Sequence, residues 1–175
     1  MPDAFGLFRK PAPGRRDGCL KEDDFMNRTQ TIVVIDGQGG GLGRQLVQEL
    51  KRQYPKLTIH AAGTNGAAAD AMRRAGADRA AAGENAVIVA CRTADVIMGP
   101  LGIVIADSMF GEITPAMALA AAQADAKRIL LPVNHCDNMV AGVPNGSYGA
   151  LIASALELLS GVLQEEGLQP EGCGV

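Results

Sequence analysis

Thr31-Ile32-Val33-Val34-Ile35-Asp36-Gly37-Gln38-Gly39-Gly40-Gly41-Leu42-Gly43 decides the fold. Its first five residues are β-branched without a break, the pattern of a parallel strand covered on both faces. The glycines let the backbone bend sharply out of that strand. Behind them Leu42, Leu46, Val47, Leu50 and Tyr54 recur at helical spacing until Pro55 stops the run. A strand, a glycine turn and a helix in that order present the first N–H groups of the helix, which have no partner within it and sit at the positive end of its dipole, to an approaching phosphate. The turn therefore reads as a nucleotide-binding turn, with Asp36, Gly37, Gln38, Gly39, Gly40, Gly41, Leu42 and Gly43 as cofactor-binding candidates.

The spacing of the glycines narrows the ligand. Read as GxGxxG the turn fails, because Leu42 stands where the third glycine would fall after Gly37 and Gly39. Read as GxxxGxG it matches at Gly37, Gly41 and Gly43, the spacing of the short-chain dehydrogenase cofactor turn. As a P-loop it fails, since Arg44 replaces the lysine and Gln45 the Ser or Thr that would hold magnesium. A methyltransferase-type GxGxG also reads from Gly37 to Gly41, with the acid one residue too close. An acidic residue about 20 residues beyond such a turn normally binds the adenosine ribose hydroxyls. Here the second strand ends in Ala61-Ala62-Gly63-Thr64-Asn65 instead. Gly63, Thr64 and Asn65 become candidates for holding a ribose or a 2′-phosphate, which favours NADP over NAD. Thr64 and Asn65 are equally good helix N-caps. Asp36 at the mouth of the turn would repel a pyrophosphate unless protonated, turned away or bridged by a cation; it is a candidate for a magnesium ion or a ligand hydroxyl, and hydrogen bonding to the backbone of a neighbouring strand end is its alternative role.

Outward from the turn the chain alternates strand-like and helix-like segments. Leu57 to Ala62 reads as a second strand and Asn65 to Ala75 as a helix closed by Gly76. Asp78 to Gly83 is ambiguous. Glu84 to Cys91 reads as a short helix, Asp95 to Met98 as a strand, Pro115 to Gln123 as a helix and Arg128 to Val133 as another buried strand. Met139 to Val143 is a candidate last strand, and Tyr148 to Leu163 a long closing helix. The alternation predicts an α/β fold: a Rossmann-like, doubly wound parallel sheet in a single domain over residues 31–165. Residues 1–30, rich in Pro, Gly and charge and without a period, are expected to form a disordered tail, and 166–175 a flexible C-terminal one. Lys21-Glu22-Asp23-Asp24 is what a purine-rich ribosome-binding site spells when translated, just upstream of Met26, so Met26 is the expected start.

Composition excludes several classes. With 47% hydrophobic and 20% charged residues and a net charge of −3, the chain has no basic surplus for nucleic acid or anionic membranes. It has no Trp and few other aromatics, so the stacking platforms of single-strand binders are missing. Cys19, Cys91, Cys136 and Cys173 are scattered without a CxxC pair, which suggests neither a disulfide framework nor a zinc site. A reducing cytoplasm is the expected location. No apolar stretch reaches the length of a membrane span, and no signal peptide is expected.

Other strand ends supply further candidates. Gly99-Pro100-Leu101-Gly102 lies where the second half of a dinucleotide would pass, so Gly99 and Pro100 join the cofactor-binding set. Asp107-Ser108-Met109-Phe110-Gly111-Glu112 offers a hydroxyl and two carboxylates, and Asn134-His135-Cys136-Asp137 a dense group of reactive side chains. The Tyr-x-x-x-Lys pair of the short-chain dehydrogenases is missing: Tyr148 is followed by Ile152 where the lysine is required.

The runs Ile35 to Gly43, Gly63-Thr64-Asn65, Gly83-Glu84-Asn85-Ala86, Gly99 to Gly102 and Gly111 to Pro115 together resemble a family of short bacterial proteins known as the domain of unknown function numbered thirty-eight forty-two. The resemblance implies a Rossmann-like fold, no established activity, and Glu84 and Asn85 as pocket or capping residues. Two functions follow as expectations. One is a nucleotide-binding sensor or accessory subunit taking NADP, NAD or another adenine nucleotide. The other is a small-molecule oxidoreductase or transferase using residues near Ser108 and His135-Cys136; no catalytic residue is assigned. The broad apolar stripe Leu151, Ile152, Ala155, Leu156, Leu158, Leu159, Val162 and Leu163 is a candidate homodimer surface, the alternative being a helix simply well buried against the sheet.

Overall fold

The computed structural model of the chain describes residues 30–133, 140, 141 and 147–165. Residues 1–29 and 166–175 of the expected tails, the Asn134-His135-Cys136-Asp137 group and Met139, Gly142 and Val143 of the candidate last strand lie outside these, whereas Gln30, the last residue of the expected N-terminal tail, is buried. Val140 and Ala141, between them, are not in a strand.

Five parallel strands form one sheet in the order β3-β2-β1-β4-β5: β1 (Thr31–Asp36), β2 (Thr58–Gly63), β3 (Arg79–Ala82), β4 (Val96–Pro100) and β5 (Lys127–Leu131). Between and after them run α1 (Gly41–Gln53), α2 (Gly66–Arg74), α3 (Glu84–Cys91), α4 (Pro115–Gln123) and α5 (Tyr148–Glu165), with a 3-10 turn at Leu101–Val104. The sheet is doubly wound, as expected. Ile32 and Val34 of β1 face a core built with Leu46, Val47 and Leu50 of α1, Met72 of α2 and Leu156 and Leu159 of α5. Val33 and Ile35 face a second core with Val87 of α3 and Met117, Ala118 and Ala121 of α4. Side chains alternate across a strand, so one unbroken apolar run feeds both cores.

Three strands differ from their sequence reading by more than one residue, among them β5, which ends at Leu131 and not at the expected Val133. The ambiguous Asp78 to Gly83 segment contains β3, a short edge strand that pairs only with β2 and whose residues are mostly exposed. β4 runs two residues past Met98 because Gly99 and Pro100 still pair with Leu130 and Leu131 of β5. On its other side β4 pairs with β1 only from Ile32↔Val96 to Val34↔Met98, whereas β1 stays paired with β2 as far as Asp36↔Gly63. Gly99 still lies close against the Ile35 carbonyl, and beyond it the carboxyl ends of β1 and β4 part around a cleft lined by Asp36 and Pro100. This is the place where the strand order reverses, and ligands in open α/β sheets bind in that crevice.

The stripe on α5 is spent inside the protomer. Ile152, Ala155, Leu156, Leu159 and Leu163 are buried in the first core and Leu151 and Val162 pack against it, which leaves Leu158 exposed.

Candidate functional site

The glycine turn is held from within. Asp36 is buried at the end of β1; its Oδ1 accepts the N–H of Gly37 at 2.9 Å and its Oδ2 that of Gly43 at 2.6 Å. Gly40 caps α1 at φ 67°, in the left-handed region, and donates to the Gly37 carbonyl at 2.9 Å. α1 has no side-chain cap, so the Asp36 carboxylate takes that part by accepting an amide of the first turn. Burial pushes the Asp36 carboxyl above its ordinary range, the Gly43 and Gly37 amides pull it back, and the charge of Glu112 pushes it up further. An acid raised in this way stabilises the fold most at low pH, and its contribution falls as pH rises through the raised value.

Replacing Asp36 with Ala leaves two turn amides without acceptors, at a cost of about 2 kcal/mol. Urea denaturation is expected to show that deficit narrowing as pH rises from the ordinary carboxylate range through the raised value of Asp36, as the wild-type carboxyl ionises. A deficit that widens over this range would mean that the ionised form is the one the fold prefers.

Gln38 follows with φ 52°. Its N–H donates to Glu112 Oε2 at 2.7 Å, and its carbonyl accepts Asn65 Nδ2 at 2.9 Å. The same Glu112 oxygen accepts Thr64 Oγ1 at 2.5 Å and Asn65 Nδ2 at 3.0 Å. Asn65 also caps α2, accepting the Ala68 N–H at 2.9 Å, so the capping role expected of it is present together with these contacts. Burial by itself would raise the Glu112 carboxyl, but the hydrogen bonds from Thr64, Gln38 and Asn65 outweigh it and hold the group below its ordinary value.

The expected site residues thus gather at three adjoining strand ends: the turn after β1, Gly63, Thr64 and Asn65 at β2, and Gly99 and Pro100 at β4. Between β1 and β4 lies a cleft of about 120 Å³, lined by Asp36 to Gly39, Gly41, Leu42, Pro100, Leu101, Gly102, Met109, Val133 and Tyr148. The N–H groups of Gly39, Gly41 and Leu42 make no hydrogen bond among the described residues. Glu84 and Asn85 do not line the cleft. Glu84 opens α3 and accepts Thr114 Oγ1 at 2.5 Å, and Thr114 in turn caps α4.

Two reactive groups are committed elsewhere. Ser108 is buried and donates its hydroxyl to the Gly102 carbonyl at 2.6 Å. Cys91 is buried in the second core, and burial pushes its thiol up to about 11, which keeps it protonated at neutral pH. Among the described residues no group of three or more His, Cys, Asp or Glu side chains could hold a metal, and no helix is long and apolar enough to cross a membrane.

Sequence reasoning placed Glu112 on a functional loop but did not join it to Thr64 and Asn65. The available signal was the missing acid at the end of β2: a strand end with two donors and no carboxylate of its own calls for one from elsewhere.

The family model described as "Domain of unknown function (DUF3842)" matches residues 31–164. No curated protein matches the chain. Among solved structures, a dodecameric FMN-dependent UbiX-like decarboxylase from Escherichia coli O157:H7 is similar at 20% identity, over 80% of this chain and 77% of that one, with a TM-score of 0.38. The calicheamicin glycosyltransferase CalG4 is similar at 18% identity, over 81% of this chain and 42% of that one, with a TM-score of 0.37.

Proposed function

The chain belongs to the DUF3842 family, and we propose that it binds a nucleotide at the Gly37 to Gly43 turn and acts as a sensor or accessory subunit. One observation carries the reading: the amides of Gly39, Gly41 and Leu42, without hydrogen-bond partners among the described residues, line the cleft where β1 and β4 part. A phosphate held there would gain charge-assisted hydrogen bonds and the favourable end of the α1 dipole. Asp36 does not block it, because its carboxylate is turned onto Gly37 and Gly43.

What lines the cleft supports a sensor or accessory role. Its described walls are glycine, proline and apolar residues together with Asp36, Gln38 and Tyr148, and the hydroxyl of Ser108 is already engaged with Gly102. A homodimer would have to use a surface other than the buried face of α5. NADP, NAD and other adenine nucleotides are the first ligands to try.

The test is thermal unfolding of the protein with NAD(H), NADP(H), ATP, ADP and S-adenosylmethionine, each with and without magnesium. A ligand present at about 100 times its dissociation constant adds roughly 2.7 kcal/mol, which moves the midpoint by several degrees. A selective shift is the expected result. Failure of every nucleotide, mononucleotides included, to shift the midpoint would reduce the turn to a packing device.

A further inference from the structure

In a dinucleotide site of this topology the two halves of the ligand lie on either side of the first helix's N-terminus: adenosine over the ends of β1 and β2, the second nucleoside over β4. Here the two halves are unlike. Over β1 and β2, the loop that follows β4 crosses the sheet and sets Glu112 Oε2 on Gln38 N–H, Thr64 Oγ1 and Asn65 Nδ2 at 2.7, 2.5 and 3.0 Å. These are the donors that would otherwise meet a ribose or a 2′-phosphate. The buried Met109 comes down on the same spot as the half-buried Glu112: a Cβ on Gly37 would lie 2.8 Å from Met109 Sδ and 2.9 Å from Glu112 Oε2.

The crossing loop is fixed in place. Asp107, Met109 and Phe110 hold φ of 61°, 57° and 58°, conformations that cost non-glycine residues on the order of 1 kcal/mol each. They are braced by Asp107 N–H to Ile113 O at 2.8 Å, Gly111 N–H to Asp107 O at 3.1 Å and the Ser108 to Gly102 bond. Over β4 the cleft is open, with the Gly41 and Leu42 amides on one side and Leu101, Val133 and Tyr148 on the other.

Resting on the nucleotide-binding reading, we propose that Glu112 determines specificity. Its carboxylate fills the adenosine half of the site, satisfies that half's donors with a negative charge, and confines the ligand to a mononucleotide. The single phosphate sits on the amides of the first turn of α1, and the ring lies towards Leu101 and Tyr148. A dinucleotide would have to expel a carboxylate that accepts three hydrogen bonds and would leave it beside a second phosphate or a ribose.

Isothermal titration of the full chain tests this, with nicotinamide mononucleotide, flavin mononucleotide, AMP, NAD and NADP against the native protein, Glu112→Ala and Glu112→Gln. The native protein is expected to bind at least one mononucleotide about tenfold or more tighter than either dinucleotide. Glu112→Ala should close that gap to within about threefold, with Glu112→Gln, which keeps the shape and loses the charge, in between. Should Glu112→Ala fail to fold, Glu112→Gln alone carries the comparison. Dinucleotide binding by the native protein as tight as any mononucleotide, or a preference left intact in the variants, overturns the proposal and leaves nucleotide binding standing. Absence of binding for all five probes in every form overturns both.

Discussion

Gly99→Ala is expected to cost more than about 4 kcal/mol and to leave little folded protein, although it adds a single methyl group. A Cβ at that position would be driven into the carbonyl oxygen of Ile35, a backbone atom of the neighbouring strand, with the Ile103 side chain closing in behind it at 3.1 Å. Neither β1 nor β4 can yield. Ile35 is fully buried and belongs to the core below the site, and Gly99 remains paired with Leu130 of β5. The methyl group must push apart the two strands at the centre of the sheet, and overpacking against backbone has no rotamer to escape into. Urea denaturation followed by far-ultraviolet circular dichroism measures the effect. A variant with wild-type stability would mean that the ends of β1 and β4 can separate further without loss.

Gly41→Val is expected to give the opposite result: a folded protein that has lost its ligand. A Cβ on Gly41 meets nothing within 4 Å, so a branched side chain stands in open space at the first residue of α1, with no loss of helix propensity, since glycine is a poorer helix former than valine. That space is the mouth of the cleft, where a phosphate must come within hydrogen-bonding distance of the Gly41 and Leu42 amides. A loss of about 100-fold or more in nucleotide affinity, roughly 2.7 kcal/mol, is expected with an unchanged unfolding midpoint. Titration of the variant with whichever nucleotide stabilises the native protein decides the matter. Undiminished affinity would move the ligand away from the turn. The two substitutions separate glycines that serve the fold from glycines that serve the site, a division that the spacing of the motif does not express.

Much of the architecture was legible because its signals are local. The run from Thr31 to Ile35 must be covered on both faces, and the Leu42, Leu46, Val47, Leu50 series can bury itself only as a helix. β3 was not legible, since Arg79 to Ala82 sits at the sheet edge, is mostly exposed, and carries neither alternation nor bulk. The end of β4 was misread for a related reason: glycine and proline are poor strand residues by composition, and only the pairing with Leu130 and Leu131, distant in sequence, keeps them in the sheet. In the candidate site, the residues of the turn could be singled out by type and spacing. The roles of Asp36 and Glu112 could not, because each depends on which backbone amides or side chains a carboxylate meets after folding. For Glu112 those partners lie 47 to 74 residues away along the chain.

The parting of β1 from β4 beyond Gly99 also bears on how the molecule comes together. β1 has its neighbour in sequence, β2, on one side and a strand from much later in the chain, β4, on the other. The unit β1-α1-β2-α2-β3 closes through short connections, whereas the seam between β1 and β4 closes only after α3 has crossed to the opposite face, which makes it the entropically expensive join. The cleft lies along this seam, with Gly41 and Leu42 on the early unit and Pro100 and Leu101 on the late one. A molecule seated there touches both, so it acts as a clasp across the seam: its occupancy slows the separation of the two halves and reports on whether the chain has been joined.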